Sequence, residues 1–152
     1  MFQGHSICSI DAKSRIVLPA KFRKYIKPEV NNKLIIIRGM EKCLWMYTYD
    51  VWEEFKSTVL KKNNPSDEKQ RFFMREFLYF VNEVELDSQN RILIPPQLIQ
   101  FANLKKEAEV LGLIDMIEIW DPEEKQKYLA SQTETFENVA QKLGEIFMNK
   151  NA

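Results

Sequence analysis

The chain has 152 residues, is 45% apolar and 12% aromatic, and balances 22 basic against 22 acidic side chains. That composition argues against disorder and supplies enough apolar surface for a sizeable core. A net charge of zero argues against a uniformly basic nucleic-acid binder, and two cysteines allow neither a disulfide framework nor a Cys-x-x-Cys metal pair.

The opening "MFQGHSICSI" lacks the basic start and long apolar stretch of a signal peptide, and no apolar run reaches membrane-spanning length. A soluble cytoplasmic protein is therefore expected, with Cys8 and Cys43 as buried thiols. Alternation over Ser6–Ile10 predicts a half-buried strand. The phrase "IDAKSRIVLP" follows, from Ile10 to Pro19: an Asp-x-x-x-Arg turn, an apolar triplet and a proline. Strand, four-residue link and strand predict a hairpin-like unit. Pro19 suits the first position of a short helix that puts Phe22, Tyr25 and Ile26 at helical spacing. Lys33–Gly39 and Cys43–Tyr49 predict a strand pair. The next helix is expected to start at Asp50, whose carboxylate caps it, with Glu53 three residues on and Trp52, Phe55 and Val59 on its apolar face. Asn63–Ser66 breaks the chain. A helix over about Asp67–Phe77 follows, and its Phe72–Phe73 pair reads as core, with subunit contact as the alternative.

The same phrase then recurs as "LDSQNRILIP", Leu86–Pro95, at an offset of 76 residues. The strand before it is "NEVEL" and the helix after it is "PPQLIQFA". Glu109–Ile114 and Met116–Trp120 predict a second strand pair, and Asp121-Pro122 caps a second helix. A last amphipathic helix, about 133–148, places Phe136, Val139, Leu143 and Ile146 on one face; its own barrel and a neighbouring subunit are both open as its seat. One domain over 1–152 is expected, with repeat one at about 5–52 and repeat two at about 81–124. Neither half covers its own sheet edges, so two halves are expected to interlock into one closed barrel.

The zero net charge hides an asymmetry. Residues 1–76 hold 15 basic and 9 acidic side chains, whereas residues 77–152 hold 7 and 13. The basic half can attract a polyanion, or the two halves can attract each other. Arg15 and Lys13 lie on the first turn, beside Lys21, Arg23 and Lys24. Arginine suits phosphate and guanine edges because its planar fork makes paired hydrogen bonds. The second copy has Gln89, Gln97, Ile99 and Gln100 at the positions of Lys13, Lys21, Arg23 and Lys24, so the first copy is the stronger candidate, with Arg91 the remaining arginine of the second. Asp11, Asp87, Pro19 and Pro95 read as the structural frame of the motif. His5 is the single histidine and has no partner motif for catalysis or metal binding, so no enzyme, cofactor or metal is expected.

The stretches "MFQG" and "IDAKSRIVLPAKFR", then "LDSQNRILIP" and "EIWD", resemble the MraZ family of bacterial transcriptional regulators, of the AbrB-like (SpoVT-AbrB) type. The likeness covers Met1 to about Glu124. It implies a mainly β fold with helices: a double-split β-barrel of swapped-hairpin type, built from two tandem repeats. It also implies a ring-shaped homo-oligomer that binds direct repeats of double-stranded DNA upstream of a cell-division and cell-wall gene cluster, with a nucleoid location. No membrane or small-molecule substrate is implied. The family usually has Gly before each motif Arg; here the residues are Ser14 and Asn90. The alternative function is an interaction module whose charge asymmetry only drives self-assembly.

Overall fold

The computed structural model describes residues 1–26 and 32–149. Lys27 and Glu29, part of the basic first half, lie outside them. The elements are β1 (His5–Ser9), β2 (Arg15–Val17), α1 (Ala20–Arg23), β3 (Lys33–Arg38), β4 (Leu44–Thr48), α2 (Tyr49–Thr58), α3 (Glu68–Tyr79), β5 (Asn82–Glu85), β6 (Arg91–Leu93), α4 (Pro96–Ala102), β7 (Glu107–Gly112), β8 (Met116–Trp120), α5 (Pro122–Ala130) and α6 (Phe136–Asn149). The fold is mainly β with helices, and its two halves repeat the same order of elements up to α5.

Pairing exchanges strands between the halves. The large sheet runs β1-β7-β8-β4-β3-β5, and β2 pairs with β6 in a separate ribbon. All pairs are antiparallel. Half one lends β1 to β7, with Cys8 opposite Ala108. Half two lends β5 to β3, with Val84 opposite Leu34. The central pair β4–β8 joins the halves, Met46 facing Ile117. The ribbon flanks both edges of the sheet, β2 against β1 and β6 against β5. This is the swapped, double-split arrangement of two repeats.

The expected local hairpin is corrected by this exchange. Bonding between the first two strands ends where the Asp11 N–H donates to the Arg15 carbonyl at 3.0 Å. Beyond that rung β1 turns to β7 and β2 to β6. The exchange lets residues of both halves fill one core: Ile16, Leu18 and Ile36 meet Ile92, Ile94 and Val110, all 0% exposed. A second cluster lies on the outer face of half one, where Ile35, Ile37, Tyr47, Trp52, Leu60 and Phe77 pack.

Several local expectations shift. Pro19 stands one position before its helix, where its carbonyl accepts the Phe22 N–H at 3.0 Å; in the second copy Pro95 does the same for Leu98 at 3.0 Å, while Pro96 takes the first helical position as expected. Helix α2 begins at Tyr49 with Thr48 as its cap residue, so Asp50 sits inside the first turn. The matching start of α5 follows expectation: Asp121 accepts the Glu124 N–H at 3.2 Å and Pro122 opens the helix. Val59 lies past the end of α2 and is exposed. The core position of α3 is Phe77, whereas Phe72 and Phe73 are exposed. Neighbours on a helix cannot share a face, and Phe77 lies one turn from Phe73.

Candidate functional site

The two Asp-x-x-x-Arg turns fold alike, atom by atom. Asp11 Oδ1 accepts the backbone N–H groups of Lys13 and Arg15, both at 2.9 Å, and Oδ2 accepts Arg15 Nε at 2.8 Å. Asp87 does the same for Gln89 (2.8 Å), Arg91 (2.9 Å) and Arg91 Nε (2.7 Å). Asp is needed because its short carboxylate reaches the N–H groups two and four residues on. Those bonds hold both carboxyls below the ordinary aspartate range, the backbone N–H of the motif Arg contributing most. Ser14 and Asn90, the positions that carry Gly in the family pattern, both sit at φ 62°, the left-handed conformation. The turn keeps its shape without the glycine.

Each Asp orients an Arg. The bond to Asp uses Nε, the nitrogen nearest the chain, and leaves the outer fork of the guanidinium outside it. Both ion pairs are part exposed, so they are worth little as stability. Their effect is directional. In the ribbon Arg15 lies opposite Leu93, and Arg91 opposite Val17. Side chains alternate across a strand, so these four share one face and Ile16 and Ile92 the other. The inner pair is wholly buried, while Val17 and Leu93 are 54% and 55% exposed. The outer face of the ribbon is therefore two oriented arginines and two bare aliphatic side chains. Sequence reading missed Val17 and Leu93 by taking "IVL" and "ILI" as unbroken apolar runs; the period-two pattern assigns the middle residue of each run to the outside.

The other basic candidates differ. Lys13 is exposed on the first turn. Lys24 is exposed with Nζ 5.1 Å from the centre of the Tyr25 ring. Lys21 donates from Nζ to the His5 carbonyl of β1. Arg23 is half-buried, and its Nε has no hydrogen-bond partner among the described residues. The structure thus unites Arg15 and Arg91 on the ribbon and ties Lys21 back to the body of the fold.

A second cluster brings ligand atoms of Glu41, Cys43 and Glu118 within 4.8 Å of one another. Both Glu118 oxygens take indole N–H groups, from Trp45 at 3.0 Å and Trp120 at 2.5 Å. Burial, then the two neighbouring carboxylates, pushes the Cys43 thiol well up, which disfavours the thiolate a metal would need. The cluster reads as a structural network. Among the described residues no helix is long and apolar enough to cross a membrane.

A family model described as "MraZ protein, putative antitoxin-like" matches residues 1–76 and again 79–145. The two matches cover nearly all of the chain and divide it where the structure repeats. The chain belongs to the MraZ family, a regulator-type family.

Proposed function

We propose that this MraZ-family chain is a sequence-specific DNA-binding transcriptional regulator. In this reading it holds direct-repeat boxes upstream of a cell-division and cell-wall gene cluster, through Asp-x-x-x-Arg turns on the rim of a homo-oligomeric ring. The observation that carries the reading is the outer face of the ribbon, where Asp-oriented Arg15 and Arg91 flank Val17 and Leu93. A DNA major groove admits a two-stranded ribbon, an arginine fork suits guanine, and an aliphatic side chain suits the thymine methyl. Lys13 and Lys24 add cations beside the first turn, whereas the second has Gln89 and Gln100. The first copy therefore carries more of the affinity. The protein acts at the nucleoid, without cofactor, metal or small-molecule substrate, and is not an enzyme.

The test replaces Arg15, Lys13 and Arg91 by Ala in turn and measures melting and DNA affinity over a range of salt. Arg15→Ala should melt as the parent does and lose about 1–3 kcal/mol per paired contact, multiplied over the subunits engaged. Each lost phosphate contact should flatten the salt slope by about 0.9, more so for Lys13→Ala than for Arg91→Ala. Normal binding by Arg15→Ala removes the site assignment, and a larger loss at Arg91 reverses the ranking of the copies. The second reading, an assembly module, draws on the cations spent internally: both arginines on their own Asp, Lys21 on the His5 carbonyl. Sequence-preferring, salt-dependent DNA binding separates the two.

A further inference from the structure

Strands β3 and β7 are counterparts in the two halves, and their ends are finished differently. β3 ends at Arg38, opposite Leu44, and β7 ends at Gly112, opposite Ile117. The next residue of each, Gly39 or Leu113, donates its N–H to the carbonyl of Cys43 or Met116, at 2.8 Å in both. In half two the N-terminal arm closes this end, with Phe2 bridged to Ile114. Among the described residues half one has no such arm. Met40, in the place of Ile114, is 55% exposed. Beside it the strand end and α3 border a cleft of about 330 Å³, walled by Arg38, Met40, Phe72, Phe73, Glu76 and Phe77. Two opposite charges share this cleft without meeting. Arg38 is half-buried, its guanidinium carbon 4.3 Å from the centre of the Phe101 ring and its Nε donating to the Gly39 carbonyl at 3.2 Å. Stacking on a ring strips water from a guanidinium without neutralising it. Glu76 is exposed on α3. Among the described residues neither enters an ion pair. The remaining wall is apolar and largely aromatic: the Phe73 and Phe77 rings stack at 5.2 Å, and Phe72 and Phe73 are 66% and 42% exposed.

We infer that this cleft is a binding site for a free α-amino acid with an aromatic side chain. The three kinds of wall select it. The guanidinium fork of Arg38 takes the carboxylate as a paired hydrogen bond. Glu76 takes the ammonium. Phe72, Phe73 and Met40 take the ring. An amino acid carries both charges on one carbon, whereas a peptide separates them to its two ends. Phosphate or a dicarboxylate would satisfy Arg38 and be repelled by Glu76. The volume lies at the small end of the range for small-molecule sites. Half two has no counterpart, because Gly112 stands in the place of Arg38 and the arm lies across it. The cleft lies apart from the ribbon, so the inference goes beyond the DNA-binding reading and does not rest on it.

Titration calorimetry of the full-length chain, without DNA, tests it with four probes. L-phenylalanine should bind saturably, one per chain. Phenylpropanoate, which lacks the ammonium, and phenethylamine, which lacks the carboxylate, should each bind about tenfold or more weakly, and glycine should give no saturable heat. Glu76→Gln should melt as the parent does, because its side chain is exposed, and should bind L-phenylalanine no better than phenylpropanoate. Arg38→Gln should bind L-phenylalanine no better than phenethylamine; it removes a stacked side chain, so Glu76→Gln decides the matter if Arg38→Gln unfolds. Absence of saturable binding by L-phenylalanine overturns the inference, including the case in which a second copy covers the cleft. So does equal binding of the three aromatic probes, which would mean an apolar surface without charge recognition, or a Glu76→Gln variant that binds L-phenylalanine as the parent does. L-phenylalanine binding that follows these rules in a protein that ignores DNA leaves the inference standing and removes the proposed function. DNA binding without L-phenylalanine binding does the reverse.

Discussion

Ser14 and Asn90 adopt φ 62° at the two positions where the family pattern has glycine. A left-handed backbone costs a residue with a Cβ about 1–2 kcal/mol, less for Asn, whose short side chain bonds locally. The turns tolerate the cost because the rest of each turn is fixed: an Asp carboxylate bonds two backbone N–H groups and one guanidinium nitrogen. Ser14→Gly should therefore raise stability by about 0.5–1 kcal/mol, after the added freedom of glycine in the unfolded chain is subtracted. Asn90→Gly should gain less. Urea midpoints check this, and a lower midpoint for Ser14→Gly would show that the serine contributes something beyond its backbone shape. The motif Asp, Arg and Pro were legible in the sequence because the phrase is written twice. The left-handed φ at Ser14 was not, since serine does not announce it as glycine would.

At the scale of elements, sequence pattern located the strands and left their partners open. Alternation marks β1 and β5 as half-buried, but nothing local says that β1 pairs with β7 and not with β2. The choice is made across the molecule, by burying Ile16 and Ile92 together in one core. The N-terminal arm shows the same dependence. Phe2 is 4% exposed and bridges to Ile114 through two backbone bonds of 2.9 and 2.8 Å. The arm crosses Gly112 so closely that a Cβ there would lie 2.4 Å from Gln3 N and 2.5 Å from the Phe2 carbonyl carbon. Backbone atoms cannot swing aside as a flexible side chain does. Gly112→Ala should then cost about 1–3 kcal/mol and loosen the Phe2 anchor. Gly144→Ala, with open space around it in α6, should instead stabilise by up to about 1 kcal/mol. Chemical denaturation of both variants checks the contrast; equal midpoints would mean that the arm is not held where the structure has it.

At the scale of the whole molecule, the repeat and the charge asymmetry meet. Two copies of one phrase close one core, and the second copy has lost the cations that the first retains. The apolar stripe of α6 was legible from its spacing, but its partner was not: a helical stripe says that something covers it and not what. In half two the surface under α5 carries the Glu109–Lys125 ion pair at 2.7 Å, and α6 buries no residue on it. In the proposed ring, the basic first half of one subunit faces the acidic second half of the next, head to tail. Such an assembly presents its turns in one sense, so it should favour direct repeats spaced near one helical turn, about 10 base pairs. A two-fold dimer would favour palindromes. The most direct measurement compares, at one salt concentration, affinity for direct boxes, for the same boxes with one inverted, and for the same boxes shifted by half a turn, with Arg15→Ala as the control. The account predicts that direct boxes bind tightest and that Arg15→Ala abolishes the difference. Equal binding to inverted or half-turn-shifted boxes would contradict it.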